Sequence, residues 1–293
     1  MKAIRRAIDQ FRSFRTLRIR RRIEKILSSS ELPDTVQSEQ DFDLLQAEYS
    51  ERPEYGYDFP SLVSRACTRT TQVVKASQHI GESLSTLEIG AGDGMVSVVL
   101  DAIGYKVHLT DIDDWRVDQA KRLPFLIANS SETLKYPPGS FDVVFSYNTF
   151  EHLPSPLVTL QEIAKVLKPA GIAYLNFSPL YCSPWGLHAY RLLRMPYPQF
   201  LFREQFISSF IEQNDVIDLG RRLNQLQYVN KYRFSDYQST WEKCGLKIRK
   251  VEYLPDRFSL DIILRYPKAF RGRGLVFDDV VTGGIEIVLE KAD

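Results

Sequence analysis

The chain has 293 residues, of which 44% are hydrophobic and 26% are charged. This is the composition of a globular protein long enough to build one large domain. No stretch approaches the roughly 18 uninterrupted apolar residues of a membrane-spanning helix, and the N-terminus lacks the apolar stretch of a secretory signal. We therefore expect a cytoplasmic protein. Cys67, Cys182 and Cys244 are far apart, so neither a disulfide framework nor a zinc site is expected.

Positive charge is concentrated in residues 1–27, which hold ten Lys or Arg against Asp9 and Glu24, a net charge of +8 that leaves −7 for the remainder. Apolar residues recur in this segment at spacings of three to four, which predicts an amphipathic helix: Ile4, Ile8, Phe11 and Phe14. Such a helix binds anionic lipid headgroups, so we favour peripheral contact of residues 1–27 with an anionic membrane surface. The competing interpretations are an organelle transit peptide, a nucleic-acid arm and a solvated or oligomerising helix. A nucleic-acid partner is not expected, because the rest of the chain is acidic.

A polar stretch over 28–60 follows, which starts with a run of three serines and contains three prolines: Ser28, Ser29, Ser30, Pro33, Pro53 and Pro60. This composition predicts a tether between the basic helix and the main domain. A helical pattern resumes over 61–80. We therefore divide the chain into an N-terminal helix and tether, 1–60, and a main domain, 61–293.

From Ser85 onward, short apolar runs alternate with helical patterns. Strands are predicted at 85–90, 105–111, 123–128, 141–147 and 171–177, and helices at 93–103, 114–121 and 155–167. This alternation is typical of a parallel sheet with crossover helices. The predicted fold class is α/β, with a doubly wound, mostly parallel, Rossmann-like sheet of seven strands, an N-terminal helical extension and an insertion after strand five.

The insertion covers 178–234, where prolines and aromatic residues interrupt the alternation and one helix is predicted at 203–213. Beyond it we predict a helix at 236–243 and the last two strands at 246–254 and 283–290. An insertion beside the carboxyl end of a strand is where a doubly wound fold builds specificity. We expect this segment to cover the substrate.

The glycine-rich sequence LEIGAGDG at 87–94 lies where the first strand should turn into a helix. Glycines there let the backbone approach a ligand closely, and the helix start offers unpaired N–H groups. A nicotinamide fingerprint would carry a third glycine or an alanine where Met95 stands. Glu88 precedes the first glycine by two residues. A carboxylate at this place is wrong for a pyrophosphate but suits a ligand with a cationic amine.

Asp111 closes the second strand, 21 residues after Gly90. An acid at this position can accept hydrogen bonds from both hydroxyls of a ribose. In the alternative interpretation, the glycines only form a tight turn and Asp111 caps the next helix.

Over roughly 80–290 the chain resembles class I S-adenosylmethionine-dependent methyltransferases, in the branch that modifies small molecules and quinones. The resemblance rests on ExGxGxG at 88–94, LTDID around Asp111, PPGSFDVVFSYNTFEHL at 137–153 and LQEIAKVLKPAGIAYL at 160–175. It implies S-adenosylmethionine as cofactor and a last strand that is antiparallel and lies between the fifth and sixth. The residues that it implies as cofactor contacts fall into five groups: Gly90, Gly92 and Gly94 against the methionine part, Glu88 at the amine, Asp111 at the ribose, Asn129 and Ser130 near the adenine, and Ile112 and Tyr147 beside them.

The stretch Asn148-Thr149-Phe150-Glu151-His152 follows the fourth strand and resembles ExxEH of quinone-biosynthesis O-methyltransferases, where two acids and the histidine are associated with a divalent metal. The first acid is Asn148 here, so no metal site is expected. His152 is a candidate general base; a structural role, in which it hydrogen-bonds the loop, is the alternative.

The start of the insertion, 178–188, mixes aromatic residues with one histidine, His188, which is a second candidate base. Aromatic faces with a few polar groups suit a sugar ring or an aromatic substrate. Arg65 and Arg69, on the helix before the first strand, are interpreted as a solvated face, with contact to a ligand carboxylate as the alternative.

The leading functional hypothesis is O-methylation of a small molecule or saccharide, including a lipid-linked one. Two alternatives remain: methylation of nitrogen or carboxyl groups on protein or RNA, and a non-catalytic binding protein of the same fold. The fold predicts a reaction but not a substrate, because the sulfonium cofactor is already activated and the protein chiefly supplies positioning.

Overall fold

A computed structural model describes residues 17–35, 38–50, 56–129, 134–214, 216–218, 221–256 and 259–292. Nine strands lie within these ranges: β1 (Ser85–Ile89), β2 (Lys106–Asp111), β3 (Phe125–Ile127), β4 (Phe141–Tyr147), β5 (Leu167–Phe177), β6 (Val216–Asp218), β7 (Arg221–Leu223), β8 (Lys247–Pro255) and β9 (Thr282–Glu290). Seven of them form one sheet in the order β3-β2-β1-β4-β5-β9-β8, and β6 and β7 pair separately. This confirms the predicted seven-stranded sheet.

The first five strands of the sheet run parallel, and β9 lies antiparallel between β5 and β8. This is the direction and place that the family resemblance implied for the last strand. The strand order reverses between β1 and β4, so the carboxyl ends of these two strands border a crevice in which doubly wound folds bind ligands.

Eleven helices lie within the described ranges: α1 over 17–27, α2 (Glu39–Glu48), α3 (Phe59–Ser77), α4 (Met95–Ala102), α5 (Pro156–Val166), α6 (Pro198–Leu201), α7 (Glu204–Asn214), α8 (Phe234–Lys243), α9 (Leu260–Arg265), α10 (Pro267–Phe270) and α11 (Phe277–Val281). The predicted helices at 61–80, 93–103, 155–167, 203–213 and 236–243 are confirmed within a few residues.

The predicted helix at 114–121 is wrong, since only a 3-10 turn forms there, over Asp118–Ala120. The Asp114 carboxylate binds Arg116 at 2.9 Å and Lys121 at 2.8 Å. The Arg116 guanidinium also donates to the carbonyl oxygens of Ala120 and Leu123. These side-chain bonds fix an irregular backbone in place of helical hydrogen bonds.

Helix α3 begins at an N-cap, Asp58, whose carboxylate accepts a hydrogen bond of 3.0 Å from the Ser61 N–H, and Pro60 occupies the first turn. Its apolar side, which includes Leu62 and Val73, is buried beside α4. This packing holds the polar side of α3 next to the carboxyl ends of β1 and β4.

A second hydrophobic core lies outside the sheet, between α1, α2, the insertion and α9–α11. Ile23 and Leu27 of α1 and Phe42 and Leu45 of α2 are at most 3% exposed in it. The predicted tether over 28–60 is therefore wrong in part, because α2 lies within it and packs against the protein.

The apolar side of α1 faces this second core rather than solvent. Burial of a large aliphatic side chain stabilises a fold by about 1.5–3 kcal/mol, so Ile23 and Leu27 hold α1 firmly to the protein. Over 17–27, the predicted amphipathic helix thus places these two apolar side chains against the protein, and the rest of that helix, 1–16, lies outside the described residues. The contact of 1–27 with an anionic membrane surface stays a prediction. Within those residues no helix has the length and apolar character needed to span a membrane.

Candidate functional site

A cavity of about 1090 Å³ opens at the carboxyl ends of β1, β2 and β4, and the insertion forms its opposite wall. Ligand pockets for drug-sized molecules span roughly 300–1,000 Å³, so this one has room for more than one small ligand. It lies at the reversal of strand order, where the fold predicts a binding site.

The glycine loop forms one wall. Gly90, Gly92 and Gly94 have φ values of 70°, 51° and 75°, in the left-handed region that disfavours other residues. A Cβ at Gly90 would lie 2.1 Å from the Thr149 hydroxyl, whereas a Cβ at Gly92 would meet nothing within 4 Å. Gly92 thus presents bare backbone to the cavity, which leaves room for close approach of a ligand.

Gly94 has a different place in the loop. It is the N-cap of α4, and a Cβ there would lie 2.7 Å from the Ala120 side chain. It does not line the cavity. The structure therefore gives Gly94 a packing role behind the wall that Gly90 and Gly92 form.

Glu88, on β1, is 3% exposed and its side chain borders the cavity. Its Oε2 accepts a hydrogen bond of 2.7 Å from the Ser97 hydroxyl. Burial raises the pKa of Glu88 to about 8, and the Ser97 bond opposes that shift. A cationic group in the cavity would favour the ionised carboxylate.

Asp111 joins the end of β2 to the glycine loop. Its two oxygens accept hydrogen bonds from the Gly92 N–H at 2.9 Å and from the Ile112 N–H at 2.7 Å. Burial raises the pKa of Asp111, and these bonds oppose the shift. Since an ionised carboxylate has about four lone-pair sites, Asp111 retains capacity for ligand hydroxyls.

Three residues surround the mouth of the cavity beyond Asp111. Ile112 is 70% exposed, Asn129 is exposed, and the Trp115 ring lies on the same lining. Ser130 lies outside the described residues. Sequence reasoning missed Trp115; the signal was an aromatic residue shortly after the predicted ribose acid.

Tyr147 ends β4 and lines the cavity. Its hydroxyl donates to the Arg69 carbonyl oxygen at 2.8 Å and contacts Gln72 Oε1 at 3.0 Å, and the Arg69 guanidinium lies 4.7 Å from its ring centroid. Burial raises the pKa of Tyr147 well above its ordinary value. Arg65 and Arg69 both line the cavity, so their interpretation as a solvated helix face is wrong.

The Glu151–His152 pair lies in the 3-10 turn Phe150–His152 after β4. His152 Nδ1 lies 2.7 Å from the Tyr228 carbonyl oxygen. A carbonyl can only accept, so Nδ1 carries the hydrogen and Nε2 is the unprotonated nitrogen of the neutral ring. The Asn230 N–H donates to the Glu151 carbonyl oxygen at 2.9 Å. The last segment of the insertion, which contains Tyr228 and Asn230, therefore holds this turn in place.

The side chain of Glu151 is fully buried, and neither of its oxygens has a hydrogen-bond partner in the described part of the chain. Burial raises the pKa of Glu151 to about 8; the backbone N–H groups of Glu151 and Ser178 oppose that shift without reaching hydrogen-bond geometry. Sequence reasoning considered Glu151 only through the ExxEH resemblance. The burial of this side chain depends on the tertiary fold, and no pattern in the neighbouring sequence indicates it.

His188 comes from the insertion, and its ring centroid lies 4.6 Å from that of His152. Its φ is 58°, a strained value for a non-glycine residue of the kind that clusters at functional sites. Its Nε2 donates to the Pro179 carbonyl oxygen at 2.9 Å. Burial, followed by the neighbouring His152, lowers the pKa of His188 to about 3. The structure thus unites two candidates that the sequence separates by 36 positions.

Residues 87–175 match a family model described as a methyltransferase domain. They form a class I S-adenosylmethionine-dependent methyltransferase domain. The match covers β1 to β5, including the glycine loop and the Glu151–His152 turn. The cofactor of such a domain is S-adenosylmethionine.

Two curated methyltransferases are similar in sequence to part of this chain. The 27-O-demethylrifamycin SV methyltransferase of Amycolatopsis mediterranei is 29% identical over 161 residues, 50% of this chain and 58% of that protein. A ubiquinone biosynthesis O-methyltransferase of Caulobacter vibrioides is 29% identical over 102 residues, 32% of this chain and 40% of the relative. The aligned region thus spans about half the length of these relatives.

A solved structure from Pyrococcus horikoshii shares the fold, with a TM-score of 0.50, 16% identity and coverage of 82% of this chain and 96% of that one.

The residues of this methyltransferase domain fit the cofactor chemically. Gly92 leaves open space where a side chain would stand, Glu88 is a buried carboxylate beside the cavity, and Asp111 closes the neighbouring strand. S-adenosylmethionine carries a cationic amine and a ribose diol, which are the groups that these two carboxylates suit.

Proposed function

We propose that the protein is an S-adenosylmethionine-dependent methyltransferase that methylates a hydroxyl group of a small molecule or saccharide, including a lipid-linked one. The observation that carries this proposal is one cavity bordered by the glycine loop on one side and by His152 and His188 on the other. A methyl donor against the loop can then face an acceptor that the insertion holds. The names of the two curated relatives, both O-methyltransferases of small molecules, support oxygen as the methylated atom.

The proposed cofactor contacts follow the chemistry of each residue. Glu88 would accept from the cofactor amine, the backbone of Gly90 and Gly92 would lie along its methionine part, and Asp111 would accept from the ribose hydroxyls. Tyr147 would close the methionine end of the site. For the adenine we propose Ile112, Asn129 and Ser130, of which Ile112 and Asn129 border the cavity.

The chain's own residues would position the acceptor and receive its proton. When bound, the cofactor would supply a methyl group on a cationic sulfur, and the sulfur would leave with the electron pair of the bond that the acceptor oxygen replaces. His152 Nε2 would accept the hydroxyl proton, because the bond from Nδ1 to the Tyr228 carbonyl leaves Nε2 as its basic nitrogen. His188 would hold the His152 ring from the insertion side.

The acceptor would lie against aromatic side chains of the insertion. Trp185, Tyr190 and Tyr228 border the cavity, and Trp185 Nε1 donates to Asp256 Oδ2 at 2.9 Å, which fixes the indole ring. Aromatic faces beside polar groups suit a sugar ring or another flat, hydroxylated molecule.

We also propose that residues 1–27 contact an anionic membrane surface, but through their charged side chains only. Since the apolar side of α1 is buried in the second core, the described part of this segment would act through its cationic side chains alone. These include Arg18, Arg21, Arg22 and Lys25, which are exposed. Each basic residue near an anionic surface contributes about 1 kcal/mol, which would suffice for salt-sensitive attachment.

A screen of hydroxylated acceptors, beginning with glycans and lipid-linked sugars, tests the proposed reaction. We expect release of S-adenosylhomocysteine that depends on the acceptor, and a mass increase of one methyl group on oxygen. His152→Ala should lower kcat by roughly 10²–10⁴-fold, the usual contribution of a general base, while cofactor affinity stays unchanged. Methylation confined to nitrogen or carboxyl acceptors, or none in a protein that binds the cofactor, would reject the proposal.

A further inference from the structure

Three arginine side chains border the cavity: Arg65 and Arg69, which lie one helical turn apart on α3, and Arg191 in the insertion. All three residues are half-buried. The guanidinium carbons of Arg65 and Arg191 lie 5.5 and 5.6 Å from the centroid of the Tyr57 ring. Positive charge from two separate parts of the chain therefore converges beside this ring.

Contacts with the protein orient Arg65. Its Nη1 donates to the Gly56 carbonyl oxygen at 2.5 Å, and its Nη2 lies 3.9 Å from Asp93 Oδ2. A guanidinium presents five N–H donors in a planar fork, so it can bind a carboxylate or a phosphate with two of them while it keeps other contacts. The arginine pair, Arg65 and Arg191, is thus suited to an oxyanion.

Arg69 occupies a different place. Its guanidinium lies on the Tyr147 ring and has no hydrogen-bond acceptor in the part of the chain that the structure describes. Burial raises the pKa of Glu88, and the charge of Arg69 is among the influences that oppose this shift, so the two side chains are neighbours. The amine and the carboxylate of S-adenosylmethionine are bonded to one carbon atom. With the amine on Glu88, the cofactor carboxylate would therefore meet Arg69.

The cofactor does not account for the arginine pair. S-adenosylmethionine carries one carboxylate against two positive charges, on its amine and its sulfur, so its binding adds positive charge to the cavity. Two of the acids that border the cavity have other bonds, Asp111 with the glycine loop and Asp256 with Trp185. The pair would thus stand near a cationic cofactor, where Coulomb attraction favours an anionic partner.

We propose that the acceptor carries an anionic group, a phosphate or a carboxylate, which binds Arg65 and Arg191 beside Tyr57. This inference rests on the proposed function and narrows its acceptor from any hydroxylated molecule to an acidic one. Arg191 belongs to the insertion, as do Trp185 and Tyr190, so the anion lies on the acceptor side of the cavity. The sequence did not single out Arg191, because only the fold of the insertion brings it to α3.

Calorimetric titration of the full chain, saturated with S-adenosylhomocysteine, tests the arginine pair, because that ligand first fills the place of the cofactor carboxylate. The probes are glucose 6-phosphate, glucuronate and glucose. We expect at least one of the two anionic sugars to bind tenfold or more tightly than glucose, and its affinity to fall in about 0.5 M NaCl. The tighter of the two shows whether the anion is a phosphate or a carboxylate.

Substitutions separate the arginine pair from Arg69. Arg65→Met and Arg191→Met keep the aliphatic stem, and each should weaken binding of the anionic sugar at least tenfold while the affinity for S-adenosylhomocysteine stays unchanged. Arg69→Met should show the reverse. Arg191→Lys keeps the charge but not the fork, and should retain part of the binding. Arg203→Met, at an exposed arginine of the insertion, is the matched control and should bind like the wild type.

Equal affinity for glucose and both anionic sugars would overturn the proposal, as would binding of the anionic sugar that Arg191→Met leaves unchanged. Binding that occurs only without S-adenosylhomocysteine, and that Arg69→Met abolishes, would also overturn it, because the anion would then occupy the place of the cofactor carboxylate. Circular dichroism and thermal melting verify that each variant is folded. If S-adenosylhomocysteine does not bind, but an anionic sugar binds and Arg191→Met abolishes that binding, the proposed function fails while the anion site stands.

Discussion

Glu88→Gln tests whether the carboxylate that borders the cavity is desolvated in the folded protein. The substitution keeps the shape of the side chain and its bond from Ser97, and it removes the titration. In the folded protein the pKa of Glu88 is raised to about 8 from an ordinary value of 4.5. A carboxylate with a raised pKa stabilises the fold when protonated, so its contribution is full below about pH 4.5 and falls as the pH rises to about 8. Between about pH 5.5 and 9 the wild type should therefore lose about 3 kcal/mol more unfolding free energy than Glu88→Gln.

Urea denaturation at both pH values measures this difference directly. Glu252→Gln, at an exposed carboxylate on β8, is the matched control and should follow the wild type. Saturating S-adenosylmethionine should reduce the pH-dependent loss in the wild type, because its amine favours the ionised carboxylate. Glu88→Gln should also weaken cofactor binding at least tenfold. Equal losses of stability in the wild type and Glu88→Gln would refute the desolvation argument.

Three further substitutions or assays test other parts of the molecule. Gly90→Ala should lower the free energy of unfolding by about 2–4 kcal/mol, because the new Cβ adds left-handed backbone strain and a clash with Thr149. The control Gly104→Ala also has a positive φ but open space around the new Cβ, so it should cost about 1–2 kcal/mol. Equal losses in denaturant melts would argue against the clash with Thr149. Ile23→Ala should lower the free energy of unfolding by about 2–5 kcal/mol, because it opens a cavity in the second core. The control Arg22→Ala, at an exposed residue of α1, should change it by less than about 0.5 kcal/mol. If Ile23→Ala leaves the stability unchanged, α1 does not pack against that core. Sedimentation with anionic vesicles at low salt should recover the protein, and about 0.5 M NaCl should release it; equal recovery on neutral vesicles would contradict an electrostatic attachment.

Local periodicity and spacing predicted the sheet and the glycine loop well, because both depend on short-range rules. Parallel strands that are buried on both faces appear in the sequence as apolar runs. The turn from β1 into α4 needs a left-handed backbone at positions 90 and 92, which the sequence shows as glycines. The position of β9 between β5 and β8 followed from the family resemblance. The helix expected over 114–121 failed because the Arg116 side chain bonds carbonyl oxygens locally, which a periodicity argument does not include.

The side of the cavity that His152 and His188 form was not predictable as an assembly. His152 and His188 are both recognisable as candidates, but their contact depends on how the insertion folds back over β4. Burial of Glu151 likewise depends on residues 228–230, which clamp the turn through Asn230 and Tyr228. For α1, the sequence showed an apolar face but not its partner. A membrane and a protein core satisfy the same pattern, and only the fold distinguishes them.

The central claim is that the glycine loop and Asp111 form an S-adenosylmethionine site, and calorimetric titration with S-adenosylmethionine and S-adenosylhomocysteine tests it most directly. We predict micromolar binding of both ligands to the wild type, and a loss of at least a hundredfold in affinity in Asp111→Ala, because charge-assisted hydrogen bonds to two ribose hydroxyls contribute about 1.5–3 kcal/mol each. Asp113→Ala, at the neighbouring exposed acid, should bind like the wild type. Absence of heat with either ligand from folded protein, or unchanged affinity in Asp111→Ala, would contradict the claim.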